Sequence, residues 1–75
     1  MDLATRAEAL FMSTLQPSSR CTELELGWAI LGILASLGTG DCAAGCAAEF
    51  GDHPDLALAR MRWALSVAPL AVGVD

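Results

Sequence analysis

The chain has 75 residues, of which 55% are hydrophobic and 17% charged, with nine acidic residues, four arginines, no lysine and a formal net charge of −5. A chain this short forms one domain, over residues 1–75, and folding hides only about 60% of its extended surface. The negative charge disfavours nucleic acids and anionic membranes as partners, and an odd count of three cysteines excludes a complete disulfide framework within one chain.

The first predicted helix runs from about Leu3 to Leu15. Its apolar residues recur at the three-and-four spacing of one helical stripe, which indicates an amphipathic helix with one face to bury. Pro17 should end it, because proline lacks an amide donor and forces its predecessor out of helical geometry. Asp2 and Glu8 lie in this region without the basic flank of a secretory signal, so a cytoplasmic protein is expected.

The second predicted helix opens at Thr22 and ends at the glycines of residues 38–40. Thr22 and Glu25 have the spacing of a capping box, in which each side chain bonds the other's backbone amide. Residues 26–37 are apolar around the whole circumference, which is typical of a central helix. The apolar run from Leu24 to Leu37 is shorter than the about 20 residues needed to cross a bilayer, so no membrane span is expected.

A helix that is apolar on every side carries more surface than so small a chain can enclose. We therefore expect part of the second helix to form a contact with another copy or another protein, extended by the tail from Leu70 to Val74. The candidate interface residues are Leu26, Trp28, Ile30, Ile33, Leu34 and Leu37.

Two further helices are predicted before the tail. Asp41 suits the N-cap of a third helix that ends at Gly51, where a glycine can adopt positive φ. Pro54 suits the first turn of a fourth helix, which Pro69 should end. The expected fold is thus all-α, a compact bundle of four short helices with the second helix central.

The cysteines and the single histidine raise the question of a metal site. Cys42 and Cys46 lie four apart on one side of a helix, and with Cys21 and His53 they could in principle supply a tetrahedral zinc site. The close pair of cysteines that most structural zinc sites use is absent, and free cysteine usually acts as a small buried hydrophobe. No metal, cofactor or catalytic residue is therefore expected.

The competing interpretation is a helix-turn-helix over residues 42–65. The spacing of Ala47, Gly51 and Ala57 resembles the small-x3-Gly-x5-apolar pattern of helix-turn-helix DNA-binding proteins. This resemblance implies DNA contacts by Arg60 and Arg62, although Asp52 and Asp55 leave the stretch nearly neutral where DNA-facing helices are basic.

The sequence therefore favours a small, non-enzymatic adaptor or regulatory protein that self-associates, with a DNA-binding regulator as the alternative and a metal-binding module third. The lack of lysine beside many alanines, glycines and arginines indicates a GC-rich, bacterial genome.

Overall fold

A computed structural model describes residues 1–74 of the chain. It contains three α-helices and one short 3-10 turn, with no strand among these residues. The helices are α1 (Leu3–Met12), α2 (Glu23–Asp52) and α3 (Pro54–Val67), and the 3-10 turn is Ala68–Leu70. The all-α prediction is confirmed, but the predicted count of four helices is wrong.

The difference in helix number comes from the glycines of residues 38–40. Gly38 has φ of 78° and ψ of 167°, which is outside helical geometry and kinks α2 between its two helical halves. Helical geometry resumes directly after Gly38, so the predicted second and third helices form one kinked element of 30 residues. The predicted end at Gly51 is also wrong, because α2 continues to Asp52 and only His53 separates it from α3.

The helix starts follow local capping chemistry. The Asp2 carboxylate accepts the Thr5 amide at 2.8 Å, which fixes the start of α1. The predicted capping box of α2 is present: Glu25 donates its amide to the Thr22 hydroxyl at 3.1 Å, and Thr22 donates its amide to the Glu25 carboxylate at 3.2 Å.

The most enclosed helix is α1. Ala7, Ala9 and Leu10 are at most 1% exposed, and Phe11 is also buried. On α2 only one side is covered, at positions that include Leu26, Ile30, Cys42 and Cys46. The prediction that the second helix would be central is therefore wrong: α1 occupies the centre, and most of the surface of α2 faces away from the core.

The C-terminal segment after the 3-10 turn packs on α2 of the same chain. The Val72 amide donates to the Glu23 carbonyl oxygen at 3.2 Å, and Val74 is fully buried in the main core cluster. Gly27 permits this contact, because a Cβ at that position would overlap the Val72 carbonyl oxygen. The segment predicted to extend an interface thus mostly completes the core, although Leu70 and Val72 keep about half of their surface exposed.

Candidate functional site

The six candidate interface residues occupy different environments. Leu26 and Ile30 are 4% and 0% exposed, so the chain's own helices already cover them and they must be removed from the set. Ile33 and Leu34 are partly buried against the core. Trp28 remains 63% exposed, although it is the largest side chain of the six. The predicted set therefore mixes core residues with surface residues.

A distinct apolar stripe follows the uncovered side of the first half of α2. Leu24, Trp28 and Leu31 are spaced four and three residues apart, and they are 46%, 63% and 44% exposed. Gly32 and Ala35 continue the same side and are also exposed. We call these five residues the α2 face. Nothing in the described part of the chain covers it.

Leu24 is absent from the predicted interface set, although a signal for it exists. Leu24, Trp28, Leu31 and Ala35 alternate steps of four and three residues, which is the spacing of residues along a helix–helix seam. From Trp28 onwards the α2 face is also uncharged, because no ionisable residue occurs between Glu25 and Asp41, whereas Glu23 and Glu25 flank Leu24. Such a surface has a low cost of desolvation when another apolar surface covers it.

Arg60, the first candidate DNA contact, is engaged inside the chain. Its Nε and Nη2 atoms donate to backbone carbonyl oxygens at the end of α1 and in the loop beyond. The acceptors are the carbonyl oxygens of Phe11 at 2.7 Å, Leu10 at 3.3 Å, Ser13 at 2.8 Å and Leu15 at 2.9 Å. The carbonyl oxygen of Phe11 is one that the helix end leaves without an intrahelical partner, and that of Leu10 is also bonded by the Ser13 amide and hydroxyl. Arg60 therefore caps α1 from α3 and holds the loop after it.

The guanidinium of Arg60 also lies over two aromatic rings, 4.9 Å from the Trp63 centroid and 5.9 Å from the Phe11 centroid. Burial lowers the pKa of Arg60. A side chain held in this way is not presented to a DNA groove, which corrects the role implied for Arg60 by the helix-turn-helix resemblance.

Arg62, the second candidate DNA contact, is exposed on α3. The surrounding geometry departs from the helix-turn-helix pattern, because Gly51 lies inside α2 rather than at the turn and has a negative φ. A connection of one residue, His53, is also shorter than the turn of three to four residues that this motif uses.

The cysteines occupy separate places in the fold. Cys42 and Cys46 are buried on α2, whereas Cys21 packs beside the main core cluster and His53 is exposed at the junction of α2 and α3. Among residues 1–74 no group of three or more histidine, cysteine, aspartate or glutamate side chains is placed to hold a metal ion. The tetrahedral arrangement of Cys21, Cys42, Cys46 and His53 is therefore not formed.

Deprotonation to a thiolate is electrostatically unfavourable at both buried cysteines. Burial raises the pKa of Cys46 to about 11, and the nearby Glu8 carboxylate acts in the same direction. Burial likewise raises the pKa of Cys42. The Cys46 thiol instead donates to the Glu8 carbonyl oxygen at 3.8 Å, so it joins α2 to α1. These two cysteines are packing residues with low nucleophilicity.

By length and composition alone, α2 is one helix that could cross a membrane. Its most hydrophobic window is only 17% buried within the chain. The core helices of soluble proteins pass the same test of length and composition, but they are mostly buried. The low burial therefore shows that α2 leaves much of its apolar surface exposed.

Comparison of the chain with protein-family models, curated proteins and solved structures finds no match. No relative therefore offers an active site, ligand or partner for transfer to this chain. Its function must be inferred from its own exposed and buried side chains.

Proposed function

We propose that this chain is a small, non-catalytic protein-interaction module that binds a second copy of itself through the α2 face. The observation that carries the proposal is the exposure of Trp28 between Leu24 and Leu31 on one side of a helix. A tryptophan is the residue type most enriched in the energetic centre of protein interfaces. Leaving it in water forgoes a burial that a partner can provide.

The size of the α2 face fits a small interface. From their exposed fractions, Leu24, Trp28 and Leu31 together leave roughly 300 Å² of side-chain surface per copy. Two copies thus contribute roughly 600 Å² from these side chains, about half of what a small specific interface buries. Ala35, which is also exposed on this side of the helix, extends the contact. We therefore expect a dimer that dissociates on dilution.

A second copy of the chain suits this surface because the α2 face carries no charge from Trp28 to Ala35. Two molecules of net charge −5 repel each other, but no ionisable side chain lies between Glu25 and Asp41 to put like charges in contact.

In the proposed dimer a twofold axis crosses α2 between Trp28 and Gly32 and relates the two copies. In the resulting antiparallel pair, each Trp28 ring lies over Gly32 of the second copy, as an isologous interface requires. The position of a Cβ on Gly32 has no neighbouring atom within 4 Å, so the site is open to an incoming ring. The lack of a side chain at Gly32 then provides the space that a large aromatic side chain needs.

The kink at Gly38 makes a membrane span the weaker explanation for the same surface. The straight segment before Gly38, residues 23–37, is about 22 Å long at a rise of about 1.5 Å per residue. A hydrocarbon core is about 30 Å thick. Beyond the kink, α2 carries Asp41, Glu49 and Asp52, which would be costly to place in lipid. In this proposal the module works in the cytoplasm, where its three free thiols remain reduced.

A matched pair of charge substitutions tests the proposal. Leu31 on the α2 face and Leu58 on α3 are both 44% exposed, so Leu31→Glu and Leu58→Glu alter the net charge and surface hydropathy equally. Sedimentation velocity should show a concentration-dependent dimer for the native chain and for Leu58→Glu, but a monomer for Leu31→Glu. Equal effects of the two substitutions, or a native chain that stays monomeric at millimolar concentration, would contradict the proposal.

A further inference from the structure

A pocket of about 290 Å³ opens at the junction of the three helices, where α1 ends and α3 begins. Its lining comprises Phe11, Met12, Glu49, Leu56, Ala57 and Arg60. This volume is at the lower limit for small-molecule sites, so it suits a ligand of roughly amino-acid size. None of the α2 face lines it.

The apolar part of the pocket is preformed. The Phe11 ring is 5% exposed and stacks on Phe50, with centroids 6.1 Å apart and an angle of 18° between the planes. Ala57 is buried beside Phe11, so its small side chain keeps the wall close to the helix backbone. Leu56, at 73% exposure, forms an accessible apolar rim. A hydrophobic side chain can therefore enter without rearranging the core.

The positive charge of the pocket has no anionic partner within residues 1–74. Arg60 uses Nε and Nη2 for the carbonyl oxygens of α1 and the loop after it, and within residues 1–74 neither a hydrogen bond of Nη1 nor an ion pair is formed. Carbonyl oxygens are neutral acceptors, so the guanidinium keeps its full charge. Arg60 lines the pocket, and the two N–H donors on its Nη1 remain for an acceptor.

Glu49 supplies a negative charge to the same pocket but does not pair with Arg60. Two opposite charges that line one small pocket without contacting each other leave space for a ligand that bears both charges. A zwitterion also has no net charge, so the overall charge of −5 does not repel it.

We propose that this pocket binds a free apolar α-amino acid. In this arrangement the ligand carboxylate accepts hydrogen bonds from Arg60 Nη1, its ammonium group faces the Glu49 carboxylate, and its side chain packs on Phe11 and Ala57. The site is independent of the α2 face, so either proposal can fail without affecting the other.

An NMR titration of the ¹⁵N-labelled full chain tests the site with L-leucine and two analogues that each lack one charge. The analogues are 4-methylpentanoate, without the ammonium group, and 3-methylbutylamine, without the carboxylate. We expect L-leucine to cause saturable shifts at the amides of the lining residues, with each analogue binding about tenfold more weakly or worse.

Variants of the pocket distinguish an effect on ligand binding from an effect on folding. Arg60 also holds α1, so its substitution can unfold the chain, and exposed residues are therefore the better choice. Glu49→Gln should weaken L-leucine binding about tenfold but leave 4-methylpentanoate binding unchanged, whereas the control Glu23→Gln, on an acid outside the pocket, should change neither. Absence of saturable shifts with L-leucine at about 20 mM, or equal binding of leucine and both analogues, would overturn the proposal.

Discussion

Replacement of Gly27 by alanine should destabilise the protein, although alanine is the better helix former. Gly27 lies where the C-terminal segment crosses α2, and an added Cβ would overlap the carbonyl oxygen of Val72. Because this atom belongs to the backbone, no change of side-chain rotamer can relieve the overlap. The segment around Val72 must instead move away from α2, and Val74 must move with it.

The size of the stability loss follows from the groups that this movement exposes to water. Helix propensity alone favours Gly27→Ala by up to about 1 kcal/mol. Displacement of the segment removes the hydrogen bond from Val72 to Glu23, worth about 1 kcal/mol, and exposes Val74, whose burial contributes roughly 1.5–3 kcal/mol. Val74 is only 1% exposed in the native fold, so its displacement can remove nearly all of that contribution. The net loss should be roughly 2 kcal/mol.

Urea denaturation followed by circular dichroism measures this loss, with Gly51→Ala as the control. Gly51 also lies in α2, but no packed neighbour lies within 4 Å of the place where an added Cβ would stand, so Gly51→Ala should leave stability unchanged or raise it. Hydrogen exchange should show a loss of protection at the Val72 amide in Gly27→Ala alone. A Gly27→Ala protein as stable as Gly51→Ala would refute the packing of the C-terminal segment against α2.

Two further predictions concern buried polar groups. Arg60→Met should lower the free energy of unfolding by roughly 2–4 kcal/mol, because several carbonyl oxygens lose a charged donor that is partly shielded from water. The control Arg62→Met should change the free energy of unfolding by less than about 0.5 kcal/mol. Similar losses in the two variants would contradict the capping role of Arg60. Since burial raises the pKa of Cys46 from 9.0 to about 11, the unfolded chain loses that proton first, and the free energy of unfolding should fall as the pH rises through this interval. Urea titrations at several pH values should show a smaller fall for Cys46→Ala, and an unchanged slope would argue against the burial of this thiol.

Local signals in the sequence predict the starts of α2 and α3 well, but the N-cap predicted at Asp41 is wrong because this residue lies inside α2. The helix ends are predicted poorly. The Thr22 and Glu25 capping box and Pro54 at the start of α3 depend only on residues within one turn, and both are present. The end of α1 is predicted near Leu15, but the helix stops at Met12. There the free carbonyl oxygens bond to Arg60, which is distant in sequence, so no local pattern could reveal this cap.

The glycines of residues 38–40 show a related limit. A glycine at positive φ can end a helix or bend it, and the sequence does not say in which direction the chain continues. In this protein Gly38 bends α2, and the predicted second and third helices stay joined.

The exposed apolar surface of α2 could be predicted in kind but not in detail. Excess apolar surface on the second helix is evident from composition, and Trp28 and Leu37 are indeed exposed. The inclusion of Leu26 and Ile30 is wrong because a helix that is apolar all round has no periodicity to mark its buried side. Contacts from α1 and the C-terminal segment decide that side, and these depend on the tertiary fold.

The central claim is that a second copy of the chain covers the α2 face, and an isotope-filtered NOE experiment tests it most directly. A mixture of ¹³C-labelled and unlabelled protein reports only contacts between copies. We predict intermolecular NOEs from the Trp28 indole ring to Gly32 and Leu31 of the second copy. Intermolecular NOEs confined to α3, for example to Leu56 or Leu58, or none at a concentration where the native chain is dimeric, would contradict it.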